Sequence, residues 1–402
     1  MVFFHDAWAI FELLDKRSHI YSSRPRMVML GDSRNATHRD QPVLPYGDIW
    51  RHHRRLTHNV VGSQAVRAHR PIQDNEIKVL LRDLLQQPEH FVKAIERYSV
   101  SVVSCVGFGR RVSKMDDIVA QMALKFMEGV DLAIPGQFLM ESLPLHLQLP
   151  RLVYPLASRT LENNRKMTRF FTSLSQEAAT SSTASQQSFS ASLIKEYEKG
   201  KLTDEEIAFL TGNLIGGGVD TTSSTTISLV FAMCAFRDVQ QKAYAEIATV
   251  VGDDPMPDWS DEENLPYCRA LVSECLRWRT ATILGGIPHA PIQDDVYEGY
   301  TIPKGTWIAG NIPERFLGDR RPFPNIKGHS AFGWGRRHTG KEETLDIFAF
   351  TESENIRPEA FCARFIPRGE AHPGVILQEA TKAREYLKDL DEETNVQMPS
   401  FD

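Results

Sequence analysis

A capping box, Thr203 with Glu206 three residues later, opens an apolar run that ends only near Phe236, and no other element of this 402-residue chain limits its fold so strongly. Such a box satisfies amide donors that a helix start leaves open, so the run reads as one helix about 48 Å long at ~1.5 Å per residue. A helix of that length crosses a whole domain, and shorter helices must pack around it. Its middle holds Gly216, Gly217 and Gly218 in succession, each costing about 1 kcal/mol relative to alanine. Two readings of that cost are open: the glycines make room for a ligand, or they let a neighbouring helix approach.

The first half of the chain has the same helical spacing, as in Ile77, Leu80, Leu81 and Leu84, then Phe91, Val92 and Ile95. Met1 to Leu14 has the pattern of an amphipathic helix, too short and too interrupted by His5, Asp6 and Glu12 for a signal peptide or a membrane span. No other stretch reaches the ~20 apolar residues that cross a bilayer, so the chain reads as cytoplasmic and without a transmembrane anchor. The Ser/Thr/Ala/Gln stretch over 178–192 predicts a flexible loop. VYEGYTIPKGTWI, over 296–308, predicts a small hairpin. Ile376 to Lys388 reads as an amphipathic helix, and 389–402 as a polar, frayed tail. The expected architecture is one domain, mainly α with a small β region.

A net charge of −6 gives no general reason to expect nucleic-acid binding, so basic clusters call for local explanations. The five cysteines, Cys105, Cys234, Cys268, Cys275 and Cys362, stand far apart without a CxxC pair, which suits free thiols better than disulfides or a zinc site.

Four motifs carry chemistry. Asp220 and Thr221 follow the glycines, an acid beside an alcohol suited to handing on a proton through one water; the bland alternative is a hydroxyl bonding back to its own helix. Glu274 and Arg277 stand three apart, at the spacing of a helical ion pair, and Pro313, Glu314, Arg315 and Phe316 offer a second arginine downstream. Trp50, Arg51, Arg54 and Arg55 place cations one turn apart beside an aromatic ring, suited to an anionic group. Residues 331–337, AFGWGRR, form a glycine-rich basic turn of the kind used where backbone approaches a flat cofactor. Phe126, Met127, Phe138 and Leu139 suggest an apolar pocket and nothing narrower.

Taken in order, WRxxR, glycine-acid-threonine, ExxR with PERF, and FGWGRR, this set resembles the haem-thiolate cytochrome P450 monooxygenases, from Met1 to about Arg384. Segments such as KRSHIYSSRP and FTESENIRPEAFCARFIPR are most similar to the fungal secondary-metabolite type related to O-methylsterigmatocystin oxidoreductase. The resemblance implies a P450 fold, a haem cofactor, a small hydrophobic metabolite as substrate to be hydroxylated or desaturated, and an NADPH-cytochrome P450 reductase as partner. It implies haem-propionate contacts for Trp50, Arg54, His289 and Arg337, a proton-delivery role for Asp220 and Thr221, and a structural triad of Glu274, Arg277 and Arg315. Family members are anchored in the endoplasmic reticulum, and this chain begins beyond the family's anchor. The family also requires a cysteine thiolate on iron. Here the sequence reads FGWGRRHTGKEE, with Thr339 at the cysteine's place, or His338 beside a gap, and with apparent deletions near 310–313 and 338–344. Three states remain open: a monooxygenase, a catalytically inactive remnant that binds a ligand, and a haem held through His338.

Overall fold

The computed structural model describes residues 1–4, 7–129, 138–144, 149, 155–181, 187–252, 256–282, 286–310, 349–351, 355–391 and 393–401. The expected long helix is present as α10, Asp204–Ala235, in a chain whose earlier helices are α1 Ala7–Ile10, α2 Ser18–Tyr21, α3 Asp48–Val61, α4 Arg70–Gln86, α5 Phe91–Phe108, α6 Ile118–Met127, α7 Leu139–Ser142, α8 Pro155–Thr180 and α9 Phe189–Glu198. After it come α11 Arg237–Val250, α12 Pro266–Trp278 and α13 His372–Leu387. The capping box forms as read: the Thr203 hydroxyl accepts the Glu206 amide at 3.3 Å, and the Glu206 carboxylate accepts the Thr203 amide at 2.8 Å. Glu206 also meets His53 of α3 at 3.0 Å, so one side chain closes the helix start and docks a neighbouring helix.

The main core lies where α5, α6 and α8 wrap α10, around Phe108, Phe126, Phe171, Ile215 and Val219. The Phe126 and Phe171 rings meet edge to face at 5.8 Å. A second cluster joins Leu80, Phe91 and Ile95 to Ile227 and to Phe361 and Phe365 of the late chain.

Strands are short. The opening residues differ from the expected amphipathic helix: Val2–Phe4 forms β1, which pairs in parallel with β4, Ile308–Gly310, before the helical turns begin. Backbone pairing to a strand three hundred residues away overrides the local pattern. The hairpin is β2 Asp295–Tyr297 against β3 Tyr300–Ile302, closed by Glu298 and Gly299, both with positive φ, a two-residue turn whose twist suits the strands.

Two expectations about flexible segments are corrected. The loop anticipated over 178–192 is shorter, because α8 runs on to Thr180 and α9 starts at Phe189 under the Ser188 cap. The tail is docked rather than frayed: Glu177 accepts from the Asn395 amide at 2.9 Å, and Val396, Met398 and Phe401 pack against the main core. No single helix among the described residues is long and apolar enough to cross a membrane.

Candidate functional site

The three glycines of α10 divide the two readings between them. A side chain at Gly216 would meet the Met127 sulfur at 2.7 Å and the Phe126 ring at 2.8 Å, and one at Gly218 would run into Val103. Those two glycines let α6 and α5 approach. Phe126 and Met127 are therefore packing residues against the helix, and Leu139, expected to line a pocket, is 61% exposed. Gly217 has nothing within 4 Å of where its side chain would begin and is exposed, so it opens the helix surface.

Thr221 lies one turn from Gly217 on the same face, and its hydroxyl donates to the Gly217 carbonyl at 2.5 Å. Asp220, the next position round the helix, is turned elsewhere: its carboxylate meets Arg357 at 3.3 Å, and the same guanidinium meets Glu96 of α5 at 2.6 Å. Arg357 is held by its backbone, which exchanges hydrogen bonds with Thr351. The acid and the alcohol thus share a stretch of helix without touching each other.

A second group gathers around residues 21–24. The Ser23 carbonyl accepts the Ala290 amide at 2.9 Å, and the Ser23 hydroxyl accepts the Tyr46 amide at 3.1 Å. The Tyr46 ring packs at a tilt against Trp50, centroids 5.2 Å apart, and the His289 Nδ1 bonds the Tyr21 carbonyl at 2.9 Å. Trp50 and His289, 239 positions apart by number, are thereby brought to one patch. Arg54, one turn beyond Trp50, is exposed. Sequence reading missed Arg24, within the quoted SSRP: its guanidinium donates to the carbonyls of Ile287 and Pro288, while its Nε is buried without a hydrogen-bond partner among the described residues. Burial lowers the Arg24 pKa only to about 10, so it stays a cation. Burial first, then that cation, push the His289 imidazole down to about 4, which keeps it neutral at neutral pH. A buried cation with a spare donor beside a neutral imidazole suits a carboxylate.

Glu274 and Arg277 form the expected bidentate pair on α12, at 2.7 and 2.5 Å, both about three-quarters buried. This helix abuts α10 where the Cys275 thiol donates to the Thr225 carbonyl at 3.6 Å. Arg315, Arg337, His338 and Thr339 lie outside the described residues.

A mainly helical chain is thus built around one long helix with an opened face, an ExxR pair and a buried cation at Arg24. Comparison supplies the assignment: the cytochrome P450 family model matches residues 1–312. Cytochrome P450 monooxygenase 58 of Postia placenta is 32% identical over 378 residues, covering 86% of this chain and 71% of that protein. Cytochrome P450 monooxygenase COX2 of Coprinopsis cinerea is 36% identical over 362 residues, 82% of this chain and 68% of that protein. A zebrafish cytochrome P450 solved with progesterone shares the fold, with a TM-score of 0.62 at 22% identity over 78% of this chain and 73% of that one. The chain belongs to the cytochrome P450 family, a family of haem-binding monooxygenases, and its matched relatives include fungal ones.

Whether this chain's residues fit the family cofactor depends on which part of the cofactor is considered. The open face at Gly217 suits a flat ring, and Arg24, Trp50 and His289 suit its carboxylates. The thiolate does not fit. Residues 311–348 contain no cysteine. Elsewhere, burial pushes the thiols of Cys105 and Cys234 up and those of Cys268 and Cys275 up to about 11, so all four are neutral thiols, and the Cys268 thiol is engaged with the Ala243 carbonyl. Cys362 is exposed. Among the described residues no cluster of three or more His, Cys, Asp or Glu could hold a metal ion.

Proposed function

We propose that this chain keeps the metabolite-binding scaffold of a fungal secondary-metabolite monooxygenase and, with this sequence, does not complete the thiolate-dependent oxygen chemistry of its relatives. In this reading a hydrophobic small molecule lies against the opened face of α10 at Gly217 and Thr221, and is not hydroxylated or desaturated there. The carrying observation is the cysteine inventory: four neutral thiols in helices, one on the surface, and none in the segment where the family places its iron ligand. Axial thiolate donation is what favours O–O cleavage in this family, so its loss removes the oxidising step while leaving the surface that binds the ligand.

The second reading is an active haem-dependent monooxygenase that takes electrons from an NADPH-cytochrome P450 reductase. Asp220 and Thr221 beside the open glycine favour it, because an acid held by Arg357 one residue from an alcohol is a competent proton route once the carboxylate turns. The two readings separate in a single assay. The purified chain is supplied with haem, reductase and NADPH and offered a panel of apolar polyketides, and both binding and oxidised product are followed. Binding without product is expected. Product formed in step with NADPH consumption overturns the first reading in favour of the second.

A further inference from the structure

Away from the long helix, one face of α8 forms a second place for a ligand. Lys166, Arg169, Phe170, Ser173 and Glu177 recur at three- and four-residue intervals and therefore share one stripe. The last described stretch of chain runs along that stripe in the opposite direction. At one end Glu177 accepts from the Thr394 hydroxyl and from the Asn395 amide and side chain, at 2.9 and 3.2 Å. At the other end the Phe401 ring lies 5.9 Å from the Lys166 ammonium and 5.6 Å from that of Lys125. Between the ends, Val396 and Met398 pack against the main core, the two-residue alternation of an extended chain. Tail and helix flank an open groove of about 440 Å³ between them.

The groove wall joins two cations to apolar surface from Phe170, Val396 and Pro399. Arg169 is exposed and has no carboxylate within ion-pair distance among the described residues, whereas Lys166 forms a loose ion pair with Glu162 at 3.8 Å. Glu177, the acid in the wall, is already taken up by three donors from the tail. Those tail donors are neutral and leave Glu177 its charge, so the cation without a counter-charge in the wall is Arg169, in a groove whose volume lies in the range of small-molecule pockets, about 300–1,000 Å³.

We infer that this groove binds a small amphiphilic carboxylate. The planar fork of Arg169 takes both carboxylate oxygens, Lys166 adds a second charge, and the apolar body lies on Phe170 and Val396. A ligand there bridges the tail and α8, so its occupancy also holds the tail in place.

The test is calorimetric titration of the full chain with decanoate and, separately, with decanol. Decanoate is expected to bind with decanol weaker by about tenfold, and Arg169→Gln and Lys166→Gln each to weaken decanoate by about tenfold. Ser173→Trp fills the groove and abolishes binding. Arg169 and Ser173 are both exposed, so the Arg169→Gln and Ser173→Trp variants keep the wild-type unfolding midpoint, and a signal lost in them reports the site rather than the fold. Gly217→Leu, which closes the face of α10, leaves decanoate affinity unchanged. Absence of decanoate binding, equal binding of decanol, indifference to Arg169→Gln, or loss of binding in Gly217→Leu would each overturn the assignment.

Discussion

Gly217 and Gly218 are neighbours with opposite needs. Alanine at Gly217 meets open space, so it gains helix propensity and stabilises the chain by about 0.5–1 kcal/mol. Alanine at Gly218 drives its methyl into Val103 and destabilises by about 1–3 kcal/mol through overpacking. Urea midpoints of the two variants check this, and a shift of the same sign in both would mean that the helix face is not divided as described. His289 makes a prediction in pH. Its folded imidazole titrates at about 4 against 6.5 for a free one. Between those values the unfolded chain holds a proton that the folded chain lacks, so stability is complete above pH 6.5 and falls as pH drops towards 4. His289→Gln is expected to flatten the urea midpoint across that window, and an unchanged slope would assign the dependence to other groups. At this scale the sequence was informative where motif and contact are local: Glu274 with Arg277, or Thr203 with Glu206. Arg357 and Arg24 were not legible as site residues, because the groups they meet lie 137 and 263 positions away. A single chain gives no sign of such pairings.

Helices α4 and α5 are tied to the C-terminal segment by one buried carboxylate. Glu76 is fully buried and accepts from Arg97 and Arg111, each at 2.6 Å, and from Ser101 at 2.8 Å. Arg111 carries the connection onward, its amide to the Leu390 carbonyl at 2.6 Å and its guanidinium to Asp391 at 3.1 Å. Glu76→Ala would leave two buried guanidiniums short of their counter-charge, a loss of about 3–5 kcal/mol. Equilibrium urea unfolding measures it, and a loss below ~1 kcal/mol would contradict the network as a tertiary anchor. Elements with strong internal periodicity, α4, α5 and α10, could be read from residue spacing. The docked tail and β1 could not. Both owe their conformation to partners remote in sequence, Arg111 and Glu177 for the tail and Ile308 for the strand, so their own polar or amphipathic patterns pointed to fraying and to helix.

For the whole molecule, the mainly α architecture with its small β region was legible because one capped helix fixed the centre and the remaining spacing was helical. The cytochrome P450 family followed from the order of four motifs, each weak alone, and the family match over residues 1–312 agrees with it. What the fold supplies, an opened helix face and a buried cation at Arg24 beside the neutral His289, is separable from what the iron ligand supplies. The most direct test of that separation is the reduced, carbon-monoxide-treated absorption spectrum of the full chain expressed with a haem precursor. The account predicts no red-shifted Soret band of the kind a thiolate ligand produces: either no haem is retained, or the band is that of a nitrogen-ligated or weakly ligated centre, as His338 would give. A clean thiolate-type band would contradict it, because one of the five cysteines would then have to leave its place in this structure and bind the iron.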